Sequence, residues 1–199
     1  MGMGVEKRRF AGLTGLAAAA MIASAVAAGA VTIDPGPTPT VAFANPTAAS
    51  TTGTVFENVT GSIGGLRRSP WQGTALDATG LYTSISGGAS ATYDFGSARS
   101  ALSFLWGSPD TYNDLEIELA NGGGVTVING AAIQPPTGIG ANFVTISGLG
   151  MFDSVTFRSG NNAFEFANVA AVPLPAAGLL LLGGLGGLGL MARRKRAAT

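Results

Sequence analysis

The sequence predicts an all-β protein. Its centre reads as a single antiparallel β-sandwich of jelly-roll topology, flanked by an N-terminal signal helix and a C-terminal transmembrane sorting helix. Three observations predict this. Asn113 to Leu119 alternates strictly, with Leu115, Ile117 and Leu119 on one face and Asp114, Glu116 and Glu118 on the other, the pattern of a sheet with one solvated face. Other short apolar runs recur between turns rich in Gly, Asn, Asp and Ser. Between Val31 and Val172 no stretch has helical periodicity, and the long apolar segments lie only at the two ends.

Residues 1–30 read as a secretory signal peptide. Lys7, Arg8 and Arg9 precede an alanine-rich apolar stretch from Phe10 to Ala28, with small-residue cleavage sites such as Ala25-Val26-Ala27. Export through the Sec translocon and cutting by signal peptidase follow from that reading. Residues 31–53 contain DPGPTPT and NPTAASTTG and read as a linker, with a first strand at Thr40 to Ala44.

Residues 54–171 form the predicted sandwich domain. Thr54 to Val59 opens it, and Gly80 to Ser86 follows, ending at Gly87-Gly88. Ala89 to Phe95 sets Ala91, Tyr93 and Phe95 on one face, and Ala101 to Trp106 does the same with Leu102, Phe104 and Trp106. After Asn113 to Leu119, the Asn121-Gly122-Gly123-Gly124 turn leads into Val125 to Ile128. Asn142 to Ser147, Ser154 to Arg158 and Ala163 to Val169 complete the set. Short strands at such spacing, with turn signals between them, read as a sandwich.

Residues 172–199 have three parts in order. Val172-Pro173-Leu174-Pro175-Ala176 is extended and poor in backbone donors, because its two prolines fix φ and lack N–H groups. An uncharged run from Ala176 to Ala192 would span roughly 26 Å as a helix, the lower limit for a bilayer. Arg193, Arg194, Lys195 and Arg196 follow as a stop-transfer cluster. By the positive-inside rule they stay cytoplasmic and leave everything before Val172 outside.

The zero net charge of the 199-residue chain is an artefact of its ends, which hold seven of the eleven basic residues. Between about Ala28 and Pro175 there remain Arg67, Arg68, Arg99 and Arg158 against ten acids, a net charge of −6. A lysine-free acidic domain argues against nucleic acid as a partner. The absence of Cys means that packing alone, or a bound ion, holds the domain together. With no His, Cys or Lys in that region, Ser-His and Cys-His nucleophile pairs, Schiff-base chemistry and His/Cys zinc sites are excluded. Carboxylate chemistry of the glycosidase kind survives, although Glu116 and Glu118 read as the wet face of an ordinary strand.

The Trp106 to Asp114 segment, WGSPDTYND, is the candidate binding loop. Asp110, Asn113 and Asp114 offer hard oxygens of the kind Ca²⁺ takes, at a spacing that does not match an EF-hand. Trp71, Trp106 and Tyr112 offer stacking faces to sugars. The same residues also read as structure. Trp106 extends the Leu102/Phe104 stripe into the core, and Asp110 and Asn113 suit hydrogen bonds to the loop backbone.

The stretch from Val172 to Arg196 resembles the VPLPA variant of the PEP-CTERM sorting signal of bacteria. The resemblance implies recognition of the proline motif by an exosortase, a membrane transpeptidase-like enzyme. It also implies loss of the tail and release or attachment of the rest at the cell surface. RSPWQGTA from Arg68, LSFLWGSPDTYNDLEIEL from Leu102 and FDSVTFRSGNNAFEFANVA from Phe152 resemble a family of exosortase-dependent surface proteins. Those proteins carry a WGS-x-D-x-YN block and an FEFDN-like strand before the sorting signal. This implies surface location and a sandwich fold, and names no reaction. Ala167 departs from that pattern, which tends to have Asp there.

Three functions follow. The first is an exported, non-enzymatic surface or matrix protein with a structural or adhesive role, associated with exopolysaccharide. The second is a carbohydrate-binding module, calcium-stabilised, using the Trp106 to Asp114 loop. The third is a carboxylate-based glycan-cleaving enzyme, which requires two acids facing each other in a deep cleft.

Overall fold

The computed structural model describes residues 30–133 and 140–173. The residues read as signal peptide, up to position 29, and the sorting signal from Leu174 onward lie outside them. Among the described residues no helix is long and apolar enough to cross a membrane.

The chain is all-β, with every strand pair antiparallel. Among the described residues ten strands run in order: β1 Thr32–Gly36, β2 Ser50–Thr52, β3 Val55–Val59, β4 Tyr82–Ile85, β5 Ala89–Gly107, β6 Asn113–Leu119, β7 Val125–Asn129, β8 Asn142–Ser147, β9 Phe152–Ser159 and β10 Phe164–Pro173. The main path through the sheet is β3-β4-β10-β5-β9-β6-β7. In addition β8 and β2 pair with β5, and β1 pairs with β8.

The 19-residue β5 organises everything. Its first half, Ala89 to Asp94, pairs with β9, and Ser90 to Thr92 within it also pair with β2. Its second half pairs with β10 and, from Leu102 to Trp106, with β8. The register shifts between Asp94 and Arg99, where the strand changes partners. The sequence suggests two strands here, at Ala89–Phe95 and Ala101–Trp106. They are one strand because the chain passes through an irregularity at Gly96, whose φ of 64 is left-handed, and then continues instead of reversing.

Side chains from both halves of β5 meet in one core. Phe157 on β9 stacks on Phe166 of β10 at 3.9 Å, although these strands are not paired with each other. Tyr93, from the first half of β5, meets Phe166 edge-on at 5.9 Å, and Phe104, from the second half, meets Phe157 at 5.3 Å. Such offset and edge-to-face pairs add to the large area these rings bury. The alternation predicted for β6 holds: Leu115 and Ile117 are buried, whereas Glu118 is exposed.

The segment before Gly53 differs from its sequence reading. A strand forms at Thr32–Gly36, paired with β8, and none forms at Thr40 to Ala44. Residues 37–49 are irregular but anchored. Asn45 is buried, and its side chain bonds Thr83 Oγ1, the carbonyl of Phe166 and the N–H of Val169. A Pro-rich stretch carries little strand signal, and side-chain amides supply what a ladder would.

Candidate functional site

At one end of β10 a cleft of about 470 Å³ opens between three loops. Its floor is Glu165, the second residue of β10, only 3% exposed. In register Glu165 lies between Ser84 of β4 and Gly107 of β5, inside the sheet. Gly107 makes the space. A Cβ there would lie 2.9 Å from Pro70 Cβ and 3.1 Å from Glu165 Cβ. The smallest residue is thus needed where the acid turns past the strand.

The first wall is the loop from Ser62 to Ser69. Ile63 and Arg67 close a small hairpin through paired backbone bonds of 2.9 and 3.0 Å, with Gly64 and Gly65 in the turn. The Arg67 guanidinium carbon lies 5.0 Å over the Phe56 ring, a cation–π contact that fixes it. The backbone N–H of Arg68 donates to Glu165 Oε1 at 2.7 Å, and the Arg68 side chain is exposed.

The second wall is the loop between β5 and β6. The Asp110 N–H donates to Asn113 Oδ1 at 3.1 Å while the Asn113 N–H donates to the Asp110 carbonyl at 3.0 Å, so the two residues close the loop reciprocally. Gly130, just after β7, seats the loop: a Cβ there would collide with the Asp110 backbone. The Tyr112 hydroxyl donates to Asp110 Oδ2 at 2.8 Å and to the carbonyl of Asn162 at 3.2 Å. Asn162, in the β9–β10 turn, forms the third side, and its Oδ1 accepts from the Gly87 N–H at 2.8 Å.

Burial dominates the electrostatics. It pushes the Glu165 carboxyl up to about 7, with the Asp110 charge adding to the rise and the Arg68 N–H bond opposing it. Burial also pushes the Tyr112 phenol up to about 12, helped by its hydrogen bond to Asp110 and by that residue's charge. A buried carboxyl titrating near neutrality, in a concavity with a second acid, two arginines and a phenol, marks a place suited to ligand binding or proton transfer.

The residues singled out in the sequence divide. Asp110 and Tyr112 line the cleft. Trp106 is fully buried and stacks on Phe164 at 4.7 Å, so its faces are covered. Trp71 is also fully buried, packs with Tyr82, Leu105 and Ala167, and donates from Nε1 to the Leu81 carbonyl at 3.0 Å. Both indoles belong to the core and offer no stacking face to a sugar. Ala167 lies in the same apolar cluster, where an Asp would bury its charge at considerable cost.

Asp110, Asn113 and Asp114 do not converge on a cation. Asp110 Oδ2 takes the Tyr112 hydroxyl, Asn113 Oδ1 takes the Asp110 N–H, and Asp114 Oδ1 takes Asn129 Nδ2 at 2.7 Å. Among the described residues no group of three or more acidic, His or Cys side chains could hold a metal.

Glu165, Arg67 and Arg68 were not singled out in the sequence as site residues. The signal for Glu165 was present: a lone acid inside Phe164-Glu165-Phe166-Ala167, a run buried throughout. A charge in a strand buried on both faces calls for a partner or a function. No protein family, curated protein or solved structure matches this chain.

Proposed function

We propose that this is an exported, non-enzymatic cell-surface or matrix protein that associates with exopolysaccharide through the Glu165 cleft. The observation that carries the binding role is the convergence of Asp110 and Tyr112 with Glu165, Arg67 and Arg68 around one concavity. Closely spaced polar groups in a cleft suit the hydroxyl-rich surface of a sugar.

The export route rests on the sequence. The signal peptide directs the chain to the Sec translocon and signal peptidase, and the Val172 to Ala176 motif directs it to an exosortase-type membrane transpeptidase. The tail holds the chain in the membrane transiently and is then removed, leaving the domain at the surface or released. The exposure of Val172 and Pro173 at the end of β10 is consistent with access to the motif. For the domain we favour a two-layer sandwich of jelly-roll type. Its support is the change of partners along β5 together with the Phe157–Phe166 stack between unpaired strands.

Intact-mass measurement of the natively exported protein, with a co-sedimentation assay against the producing cell's exopolysaccharide, tests this reading. Loss of both ends and co-sedimentation of the remainder are the expected results. A membrane-embedded chain that still carries Val172 to Thr199 would sink the sorting claim, and absence of co-sedimentation would sink the polysaccharide claim.

One observation favours a second reading, glycan cleavage. Glu165, with its carboxyl near 7, has the protonation of a general acid, and Asp110 is a second carboxylate in the same cleft. Reducing ends released from polysaccharide by the wild type and not by Glu165→Gln would replace the non-enzymatic reading.

A further inference from the structure

The charges around the cleft narrow what it accepts. The described region holds four cationic side chains, Arg67, Arg68, Arg99 and Arg158. Arg158 is engaged in a two-pronged pair with Glu116, at 2.9 and 3.3 Å. Arg99 lies over the Phe95 ring and donates to the Phe95 carbonyl at 3.0 Å. The other two line the cleft, and neither has an ion-pair partner among the described residues. Arg67 is held by the Phe56 ring, and its buried Nε has no hydrogen-bond partner. Arg68 is tied through its backbone to Glu165, which sets where its side chain begins. An acidic domain thus places at one concavity two of the three arginines that have no ion-pair partner among the described residues.

We propose that the cleft binds a carboxylated sugar, a uronic-acid unit of an acidic polysaccharide, with Arg67 and Arg68 holding the acid group and Tyr112 and Gln72 facing the ring hydroxyls. The proposal rests on the saccharide-binding reading above and specifies its ligand. Planar guanidinium forks match carboxylates in geometry and charge, and in a cleft that match outweighs what a neutral hydroxyl offers.

The two acids of the site are compatible with an anionic ligand. Asp110 is covered by the Tyr112 hydroxyl. Glu165 is faced by Arg67 and Arg68 from the Ser62–Ser69 loop, Tyr82 from β4, and Asp110 and Tyr112 from the β5–β6 loop. Its carboxyl is already near 7, and an arriving carboxylate raises it further. Glu165 therefore takes up a proton on binding, and its O–H donates to the ligand carboxylate. Binding strengthens as pH falls, by at most about tenfold per pH unit for one proton.

Calorimetry on the mature chain tests this, with a panel of uronic-acid oligosaccharides and their neutral counterparts at pH 6 and pH 8. At least one acidic oligosaccharide is expected to bind about tenfold or more tighter than its neutral counterpart, and tighter at pH 6. Arg68→Ala, an exposed position, is expected to weaken acidic-sugar binding about tenfold with an unchanged Tm. Glu165→Gln is expected to keep the acid preference and lose the pH dependence. Equal binding of neutral sugars overturns the acidic-ligand proposal while leaving the saccharide reading intact. Binding of neither class, by a chain shown to be folded, overturns both. An unaltered pH dependence in Glu165→Gln overturns the proton-uptake step.

Discussion

The backbone N–H of Arg68 donates to the Oε1 atom of Glu165 at 2.7 Å, joining residues 97 positions apart. This bond ties the loop that carries the cleft arginines to the strand that carries its buried acid. It also means that the acid cannot be treated as a surface carboxylate. Its folded-state pKa is about 7 against an ordinary 4.5. Between those values the folded chain binds more protons than the unfolded chain, so this group makes stability fall as pH rises from 4.5 to 7. The full cost, about 3 kcal/mol, is present above pH 7 and absent below 4.5. Gln keeps an oxygen to accept from Arg68 and carries no charge. Urea unfolding should show Glu165→Gln more stable than wild type at pH 8 and about equal at pH 4. A variant equally or less stable at pH 8 would contradict this electrostatic account.

Tyr112 reports on Asp110. Its phenol is pushed up to about 12, mostly by burial and secondarily by its bond to Asp110 and that residue's charge. Asp110→Asn removes the charge and keeps a carbonyl acceptor. Absorbance titration should then show the Tyr112 phenol ionising at lower pH than in the wild type, yet still above its ordinary value because burial remains. Tyr82 and Tyr93 are raised as well, so the assignment needs Tyr112→Phe as the subtraction. That variant leaves Asp110 and the Asn162 carbonyl without the hydroxyl and should cost about 1 kcal/mol. An unmoved Tyr112 midpoint in Asp110→Asn would show that the 2.8 Å contact does not persist in solution.

The two buried tryptophans should respond differently to Phe. Trp71 Nε1 donates to the Leu81 carbonyl at 3.0 Å, whereas the buried Trp106 Nε1 has no partner among the described residues. Trp71→Phe loses a hydrogen bond and ring volume; Trp106→Phe loses ring volume and an unsatisfied donor. Chemical denaturation should find Trp71→Phe the more destabilising by about 1–2 kcal/mol. The reverse order would point to an unseen partner for the Trp106 indole.

What was legible in the sequence followed from period and composition. Leu115, Ile117 and Leu119 alternate with acids because β6 has one solvated face, and that pattern needs no knowledge of partners. Glu165 was legible only as a lone acid in an apolar run; its surroundings were not, because Arg68 and Asp110 reach it only through the fold. The aromatic residues misled in the opposite way. Trp71 and Trp106 are suited to sugar stacking by type, but burial decides whether a ring is available, and both are fully buried. The continuity of β5 was hidden because the apolar alternation breaks between Phe95 and Ala101, yet the strand continues through an irregularity there.

The irregular segment from residue 37 to 49 is held by amides that repair a defect in β10. The β10–β5 register shifts between Ala167 and Ala170, and Asn168 there has φ 55, a left-handed conformation. The Val169 N–H donates to Asn45 Oδ1 at 3.1 Å, outside the regular ladder. The Asn168 side chain accepts from the Phe43 N–H at 3.0 Å and donates to the Val41 carbonyl at 2.7 Å. The strap and the irregular strand are therefore mutually dependent. Asn45→Ala removes three side-chain bonds, to Thr83, Phe166 and Val169, and takes the acceptor from a buried N–H. A loss of about 2–4 kcal/mol is expected. The same variant should become sensitive to proteinase K between residues 37 and 49, because that segment has no strand ladder to retain it. Cleavage resistance equal to wild type, at unchanged stability, would show that the strap is held by something other than Asn45.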